Sequence, residues 1–316
     1  MRRSSTRASA ILAGAALFIA APVLAAPGDI LFSSDLDTST GLTVAGTSDT
    51  ASTFGYDYSA DGIPSAPSGS GTTGLKLEAN LSAGSANEIA AFTDVAITAD
   101  VYKVTVDAWG NTVGPFPAGG AGSTEFTGLA VGHDGVTAGR SGGTLLYTNE
   151  GGSSRDYRLY KNNSEQFYAS GQYGPGLASN NASDPLFIAA FPGVSPPVAQ
   201  GDPTFIQDGA GGFQWMTIEA LVDSVAGTAQ FTISSATSGN SVVIGTLDAN
   251  VGNSLATTGS AAIVYADLFS SVSEDPTLTF GVFDNFVVTD LTPIPEPTSA
   301  VIVGLAALAL LRRRRF

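Results

Sequence analysis

The sequence contains no cysteine, a single histidine and few charged residues. The absence of cysteine excludes disulfides, thiolate zinc sites and cysteine nucleophiles. Because His133 is the only imidazole in 316 residues, a metal site built from several histidines is excluded as well. Charged residues make up 13% of the chain and hydrophobic residues 43%, which is not the composition of a disordered protein. A chain of this length can bury a substantial core.

The N-terminal segment has the order of a secretory signal peptide. Three arginines within the first seven residues precede an apolar run from Ala10 to Ala21, and small residues follow. A basic start, a short apolar stretch and small residues at the cleavage site define such a signal. We expect cleavage after Ala25, because a cut one residue later would place Pro27 directly behind the scissile bond. Residues 1–25 are therefore predicted to be a signal helix that directs export.

The C-terminal segment combines a short motif, an apolar run and a basic end. Its residues are Pro295, Glu296 and Pro297, the run from Ala300 to Leu311, and then Arg312, Arg313, Arg314 and Arg315. At 1.5 Å per residue a helix over 298–311 spans roughly 21 Å, which is short of a hydrocarbon core of about 30 Å. Such a transmembrane-like helix can still contact a membrane transiently, with its arginines retained on the cytoplasmic side.

This order resembles the PEP-CTERM sorting signal of proteins exported by Gram-negative bacteria. The resemblance covers residues 293–316 and implies that an exosortase, an integral-membrane protease, cuts near the Pro-Glu-Pro motif. The tail would be held in the membrane and then removed, which leaves a protein at the cell surface or outer envelope, or in an exopolysaccharide matrix. A plain C-terminal anchor is the alternative.

The body between these ends, residues 26–292, is strongly acidic. Six basic and 27 acidic residues give it a net charge of −21. Nucleic acids and anionic lipids are bound by clusters of lysine and arginine, so we expect no nucleic-acid partner and membrane contact through the two ends alone. The same charge can gather cations.

Hydrophobic alternation with a period of two predicts an all-β body. The clearest strand is 102–109, and a hairpin is predicted from strands at 215–222 and 228–233 with a five-residue connection. Further strands are predicted at 29–32, 53–58, 75–79, 90–97, 127–131, 145–148, 157–160, 241–247 and 277–288. No helical stripe longer than about two turns is present between residues 30 and 290. Around a dozen short strands favour a single β-sandwich or jelly roll over 26–292.

Long irregular stretches at 110–123 and 171–212 are expected to be surface excursions. The five prolines within 185–203 favour an extended loop there. The body as a whole resembles concanavalin A-like and laminin-G-like sandwiches. The resemblance rests on Gln214-Trp215 at the start of a strand, on the hairpin at 222–228, and on the closing segment 281–288.

Patterns for nucleophilic catalysis are weak. Residues 139–143 match Gly-x-Ser-x-Gly, but a nucleophile elbow needs a helix after it and the next residues read as a strand. We therefore interpret the match as a glycine-rich turn. His133 lies in a turn-like segment, and we assign it no catalytic role.

Paired carboxylates give an alternative, enzymatic function. Glycosidases use two acids about 5–10 Å apart, and Asp107, Glu125, Glu219 and Asp223 could line one face of a sandwich. The Glu-x-Asp-x-x-Glu strand motif of sandwich-fold glucanases does not occur in this sequence. We therefore predict a non-catalytic protein, with a glycoside hydrolase acting on extracellular polysaccharide as the alternative.

Aromatic residues in or beside loops favour polysaccharide binding. Flat aromatic rings stack on the faces of pyranose sugars, and Trp109, Tyr168 and Tyr173 are the predicted ligand-binding residues. The competing interpretation is that Trp109 and Trp215 cap the sandwich core.

Acidic residues near both ends of the body suggest a structural calcium ion. Asp35 and Asp37 would share one side of an extended chain, and Asp284 lies in the last predicted strand. Oxygen ligands of this kind suit Ca²⁺, and the resemblance to sandwich-fold binding modules implies a calcium ion that joins the first and last strands. The alternative is that Asp35 and Asp37 are solvated turn residues.

Overall fold

The computed structural model describes residues 28–82, 85–112, 124–166, 173–197, 208–269 and 275–293. The predicted cleavage site at Ala25, the motif Pro295–Pro297, the cluster Arg312–Arg315 and Tyr168 all lie outside the described residues. Within these ranges no helix is long and apolar enough to span a membrane.

The described ranges contain fifteen strands and one short α-helix. The strands are β1 (Ile30–Ser34), β2 (Leu42–Gly46), β3 (Thr50–Asp57), β4 (Thr73–Ala79), β5 (Asn87–Thr93), β6 (Val101–Asn111), β7 (Glu125–His133), β8 (Gly143–Thr148), β9 (Tyr157–Lys161), β10 (Ser164–Glu165), β11 (Trp215–Asp223), β12 (Thr228–Ser235), β13 (Ser241–Asp248), β14 (Ser260–Asp267) and β15 (Phe280–Asp290). The helix α1 spans Pro185–Ala190, and short 3₁₀ helices cover Tyr58–Asp61 and Pro276–Leu278.

These strands form two antiparallel sheets, which confirms the predicted all-β sandwich. The eight-stranded sheet has the order β13-β12-β11-β6-β15-β4-β3, and β1 pairs with β15 beside this row. The seven-stranded sheet has the order β10-β9-β8-β7-β14-β5-β2. The predicted hairpin is the β11–β12 pair, which runs in register from Met216 opposite Ser235 to Asp223 opposite Thr228.

The main core lies between the two sheets. Val104, Val106 and Ala108 of β6 point into it, and so do Leu129 and Val131 of β7. These residues alternate with residues on the outer faces, as a pleated strand requires. Removing a large apolar side chain from water contributes roughly 1.5–3 kcal/mol, so the many fully buried side chains of this cluster provide the main driving force for folding.

Two local predictions are wrong. Residues 185–190 form a helix rather than an extended loop, because Pro185 occupies the first turn and the Asp184 side chain accepts a hydrogen bond from the Leu186 N–H at 3.0 Å, which are favourable features of a helix start. The last strand begins at Phe280, because Pro276–Leu278 form a 3₁₀ turn.

Strand β15 changes its partner halfway along its length. Gly281 to Phe283 pair with β4, whereas Phe286 to Thr289 pair with β1. Between the two halves the register with β6 shifts after Asp284, and Asn285 has a φ of 54°. This bulge directs the side chains of Asp284 and Asn285 to the outer side of the eight-stranded sheet.

Candidate functional site

An aromatic cluster covers part of the outer face of the eight-stranded sheet. It consists of Tyr58, Ile63, Ala66, Trp109, Phe213, Trp215, Phe280 and Val282. Trp109 and Trp215 are opposite each other in the β6–β11 register, with ring centroids 5.9 Å apart in an edge-to-face arrangement. Because Ala108 and Met216 beside them point into the main core, the two tryptophans lie on the other side of the sheet.

The segment 58–72 folds over this cluster. Its first turn begins where Asp57 accepts a hydrogen bond from the Ser59 N–H and ends at Gly62, which has a φ of 77°, a conformation that glycine adopts without strain. The Trp215 Nε1–H donates to the Pro64 carbonyl at 2.7 Å. The Tyr58 ring contacts Trp215 edge to face at 5.4 Å, so this aromatic pair fixes the segment to the sheet.

A cleft of about 550 Å³ opens at this cluster and is called the aromatic cleft below. Trp109, Phe213 and Trp215 form its inner wall, and Ser65, Ser195 and Thr237 lie at its exposed rim. Its volume is within the range of small-ligand sites. Among the described residues that line it, none is charged, which suits a neutral ligand.

One polar atom of the cleft lacks a partner. The Trp109 Nε1–H is buried and has no hydrogen-bond acceptor, whereas the corresponding group of Trp215 is satisfied by Pro64. Buried donors are nearly always paired.

The buried carboxylate of Asp107 binds the segment 58–72 through hydrogen bonds. Asp107 of β6 accepts hydrogen bonds from the Ser68 N–H at 2.9 Å and the Ser68 hydroxyl at 3.1 Å. The Thr217 hydroxyl donates to it at 2.6 Å, and the Asn285 amide donates at 3.0 Å. These four bonds connect three strands and the segment next to the cleft.

Asp284 lies opposite Asp107 across β6 and β15. Its carboxylate is within 3.0 Å of the Tyr58 hydroxyl and accepts a hydrogen bond from the Asn285 N–H at 2.7 Å. Burial is the largest effect on this group and, together with the charge of Asp107, raises the pKa of Asp284 to about 6. Asp284 is therefore a partly protonated neighbour of Asp107 near neutral pH.

Of the predicted ligand-binding residues, the structure describes Trp109 and Tyr173, which lie at different places along the eight-stranded sheet. Trp109 lines the aromatic cleft, but it is a β6 residue with 3% of its surface exposed rather than a loop residue with a free ring. Tyr173 is half-buried near the edge strand β13, where the adjacent Gly174 N–H donates to the Ile244 carbonyl. Trp109 and Trp215 are both buried, and they pack in the outer aromatic cluster rather than in the main core.

The predicted calcium site is not assembled. Leu36 has a φ of 63° and is fully buried, so the chain from Asp35 to Asp37 turns and is not extended. Asp35 accepts a hydrogen bond from the Asp37 N–H within this turn. Asp37 still lies close enough to Asp284 to raise its pKa. Among the described residues, however, no three His, Asp or Glu side chains form a group that could hold a metal ion.

His133 and Ser141 have structural contacts. His133 ends β7, stacks on Phe92 at 4.9 Å, and its ring nitrogens contact the Gly139 carbonyl and the Gly135 N–H. Burial lowers its pKa. The Ser141 hydroxyl accepts a hydrogen bond from the Asp134 N–H, and β8 follows directly at residue 143, in agreement with a glycine-rich turn.

The four carboxylates considered for a glycosidase lie in different environments, although Asp107 and Glu219 are diagonal neighbours in the β6–β11 register. Asp107 is buried beneath Ser68, and Glu219 forms an ion pair with Lys103 at 3.3 Å. Glu125 is buried, and Asp223 accepts a hydrogen bond from the turn residue Ala226. Asp107 and Glu125 are therefore not accessible from solvent in this structure.

No protein-family model matches this chain, and no curated protein is significantly similar to it in sequence. Among solved structures, it is similar to a Bacillus subtilis protein of unknown function with a galectin-like fold, with a TM-score of 0.45, 12% identity, and coverage of 85% of this chain and 99% of the other. The chain is also similar to lectin II from Ulex europaeus, with a TM-score of 0.40, 8% identity, and coverage of 83% of this chain and 98% of the other. For the PL-14 alginate lyase from Aplysia kurodai the TM-score is 0.41 and the identity 10%, with coverage of 84% of this chain and 100% of the other. Similarity at this level carries no information about what the chain binds.

Proposed function

We propose that this protein is an exported, non-catalytic component of the cell surface or extracellular matrix that binds polysaccharide in the aromatic cleft. The observation that supports the proposal is the uncharged cleft walled by Trp109, Phe213 and Trp215, beside which the Trp109 N–H is buried without an acceptor. Sugars offer both hydroxyl acceptors for such a donor and apolar ring faces for aromatic contact. Because the body has a net charge of −21, we expect neutral polysaccharides to be preferred over acidic ones.

The test is to block the cleft without disturbing the core. Ser195 is exposed at the rim, so Ser195→Trp fills the opening while leaving the sheet intact. We expect this variant to lose retention on the polysaccharide that binds the wild type, by about tenfold or more in affinity. Affinity electrophoresis or a pull-down on a panel of neutral and acidic polysaccharides measures the effect.

Val225→Trp is the matched control. Val225 is 78% exposed in the turn after β11, at the opposite end of that strand from Trp215, so the same bulk is added far from the cleft. Equal retention of both variants and the wild type would show that the cleft is not the binding site. Release of reducing ends from the bound polysaccharide would instead support the alternative glycoside hydrolase.

The proposal includes removal of both ends. The basic and apolar order before Ala25 favours signal cleavage, and the Pro295–Pro297 motif followed by an apolar run and Arg312–Arg315 favours exosortase processing. We expect protein recovered from the native envelope to begin at residue 26 and to end near the Pro-Glu-Pro motif. Intact-mass measurement checks this, and a C-terminus at Phe316 would contradict the sorting proposal.

A further inference from the structure

Two glutamates are buried together at one end of the sandwich. Glu125 begins β7, and Glu150 follows the end of β8; both are fully buried. Side chains two residues apart along a strand lie on the same face. Glu125 is four residues before the core residue Leu129 in β7, so its side chain points between the sheets. The Asn149 N–H donates to the Glu125 carbonyl at 3.3 Å, which places Glu150 beside Glu125.

The basic residues of the body are all engaged elsewhere. Only six lysines and arginines occur between residues 8 and 311, and all six are described. Lys76 pairs with Glu78, Lys103 with Glu219, Arg140 with Glu88, and Arg155 and Arg158 with Glu165, while Lys161 donates to the carbonyls of Asp248 and Val251. None of these ion pairs involves Glu150. A buried carboxylate without a compensating cation is strongly unfavourable.

Unpartnered polar atoms surround this glutamate. Both carboxylate oxygens of Glu150, the Asn149 Nδ2 and the hydroxyls of Tyr147 and Tyr265 are buried and make no hydrogen bond. Tyr147 and Tyr265 flank Thr127 from the two neighbouring strands, so they lie on one row of the inner face. Buried polar groups that lack partners at one place point to a bound ion or molecule.

The buried acidic groups at this place raise one another's pKa values. Burial, then the charges of Glu125 and Asp156, raise the pKa of Glu150 well above its ordinary value, and the Thr124 hydroxyl partly offsets this. The pKa of Tyr265 is raised by burial first and also by Glu125 and Glu150. In the register of β7 and β14, Tyr265 is diagonally opposite Glu125, and its hydroxyl donates to no group.

We propose that Glu125 and Glu150 bind one Ca²⁺ between the two sheets, with the hydroxyls of Tyr265 and Thr124 and water completing the oxygen shell. Ca²⁺ takes six to eight oxygen ligands, including carboxylates in mono- or bidentate form. Two carboxylates match the charge of one divalent ion. This site is distinct from the aromatic cleft.

The experiment is a calcium titration of the metal-free, full-length protein. We expect calorimetry to show one Ca²⁺ per chain and thermal unfolding to show a higher Tm with millimolar Ca²⁺, since an ion that binds the folded state stabilises it. Glu150→Gln keeps the shape of the side chain and removes one charge. It should weaken Ca²⁺ binding at least about tenfold and remove the rise in Tm.

Glu219→Gln is the matched control, since Glu219 is partly exposed and paired with Lys103; it should respond to Ca²⁺ as the wild type does. Asp284→Asn should also keep the full response, because Asp284 is on the outer side of the other sheet.

Failure of the wild type to bind Ca²⁺, or an unchanged affinity in Glu150→Gln, would overturn the proposal. If Glu150→Gln does not fold, Tb³⁺ replaces Ca²⁺ on the wild type: tyrosine-sensitised emission displaced by Ca²⁺ supports the site, and its absence overturns it.

Discussion

Replacing Asp107 by alanine should lower the free energy of unfolding by about 3–5 kcal/mol. The carboxylate accepts four hydrogen bonds, two from Ser68 and one each from Thr217 and Asn285. Alanine leaves all four donors without this acceptor at a place that water reaches poorly, since Asp107 is 1% exposed. Chemical denaturation of the wild type and the variant measures the difference.

The same substitution should also weaken polysaccharide binding. Ser68 is the contact that holds the segment 58–72 against the sheet beside the aromatic cleft, so its release should loosen the wall that contains Pro64. Asp107→Asn keeps one acceptor oxygen and should cost less than the alanine variant. Asp223→Ala is the control, since Asp223 accepts a single bond in an exposed hairpin turn and should cost about 1 kcal/mol or less. Equal losses in Asp107→Ala and Asp223→Ala would contradict the network.

Strands with one buried face could be predicted from the sequence. β6, β11 and β12 alternate between core and outer positions, and their alternation is visible in the sequence. β14 was not predictable in this way: Ile263 points into the main core and Val264 into a cluster on the outer face. A strand that is apolar on both faces has no period of two, and it cannot be distinguished from other apolar runs.

The aromatic cleft could be predicted only in part. Trp109 was identified as a candidate, but its pairing with Trp215 depends on the register of β6 and β11, and the outer wall comes from the distant segments around residues 64 and 195. Such long-range register is not encoded in local spacing. The calcium prediction failed for a local reason, because the left-handed conformation of Leu36 turns the chain between the two aspartates.

The protein should become less stable as pH rises from about 4 to 6. Burial raises the pKa values of Asp284 and Asp267 to about 6, from 3.8 in an exposed aspartate. In this interval the folded chain therefore holds more protons than the unfolded chain, so the free energy of unfolding falls with increasing pH. Each group should contribute on the order of 2 kcal/mol. Repulsion within an acidic body acts in the same direction.

Asp284→Asn isolates one of these two contributions. The amide cannot ionise, so the variant should match the wild type near pH 4 and should be more stable by about 1–2 kcal/mol at pH 7. Asp223→Asn, in the hairpin turn, removes the same charge from a half-buried position and is the control: a change in slope equal to that of Asp284→Asn would show that the effect is not specific to Asp284. Denaturant unfolding at several pH values, in chelator so that bound cations do not contribute, measures all three slopes. An Asp284→Asn variant with the same slope as the wild type between pH 4 and 6 would show that Asp284 is ionised in the folded state at pH 4, and that its hydrogen bonds from Tyr58 and Asn285 outweigh the cost of burial.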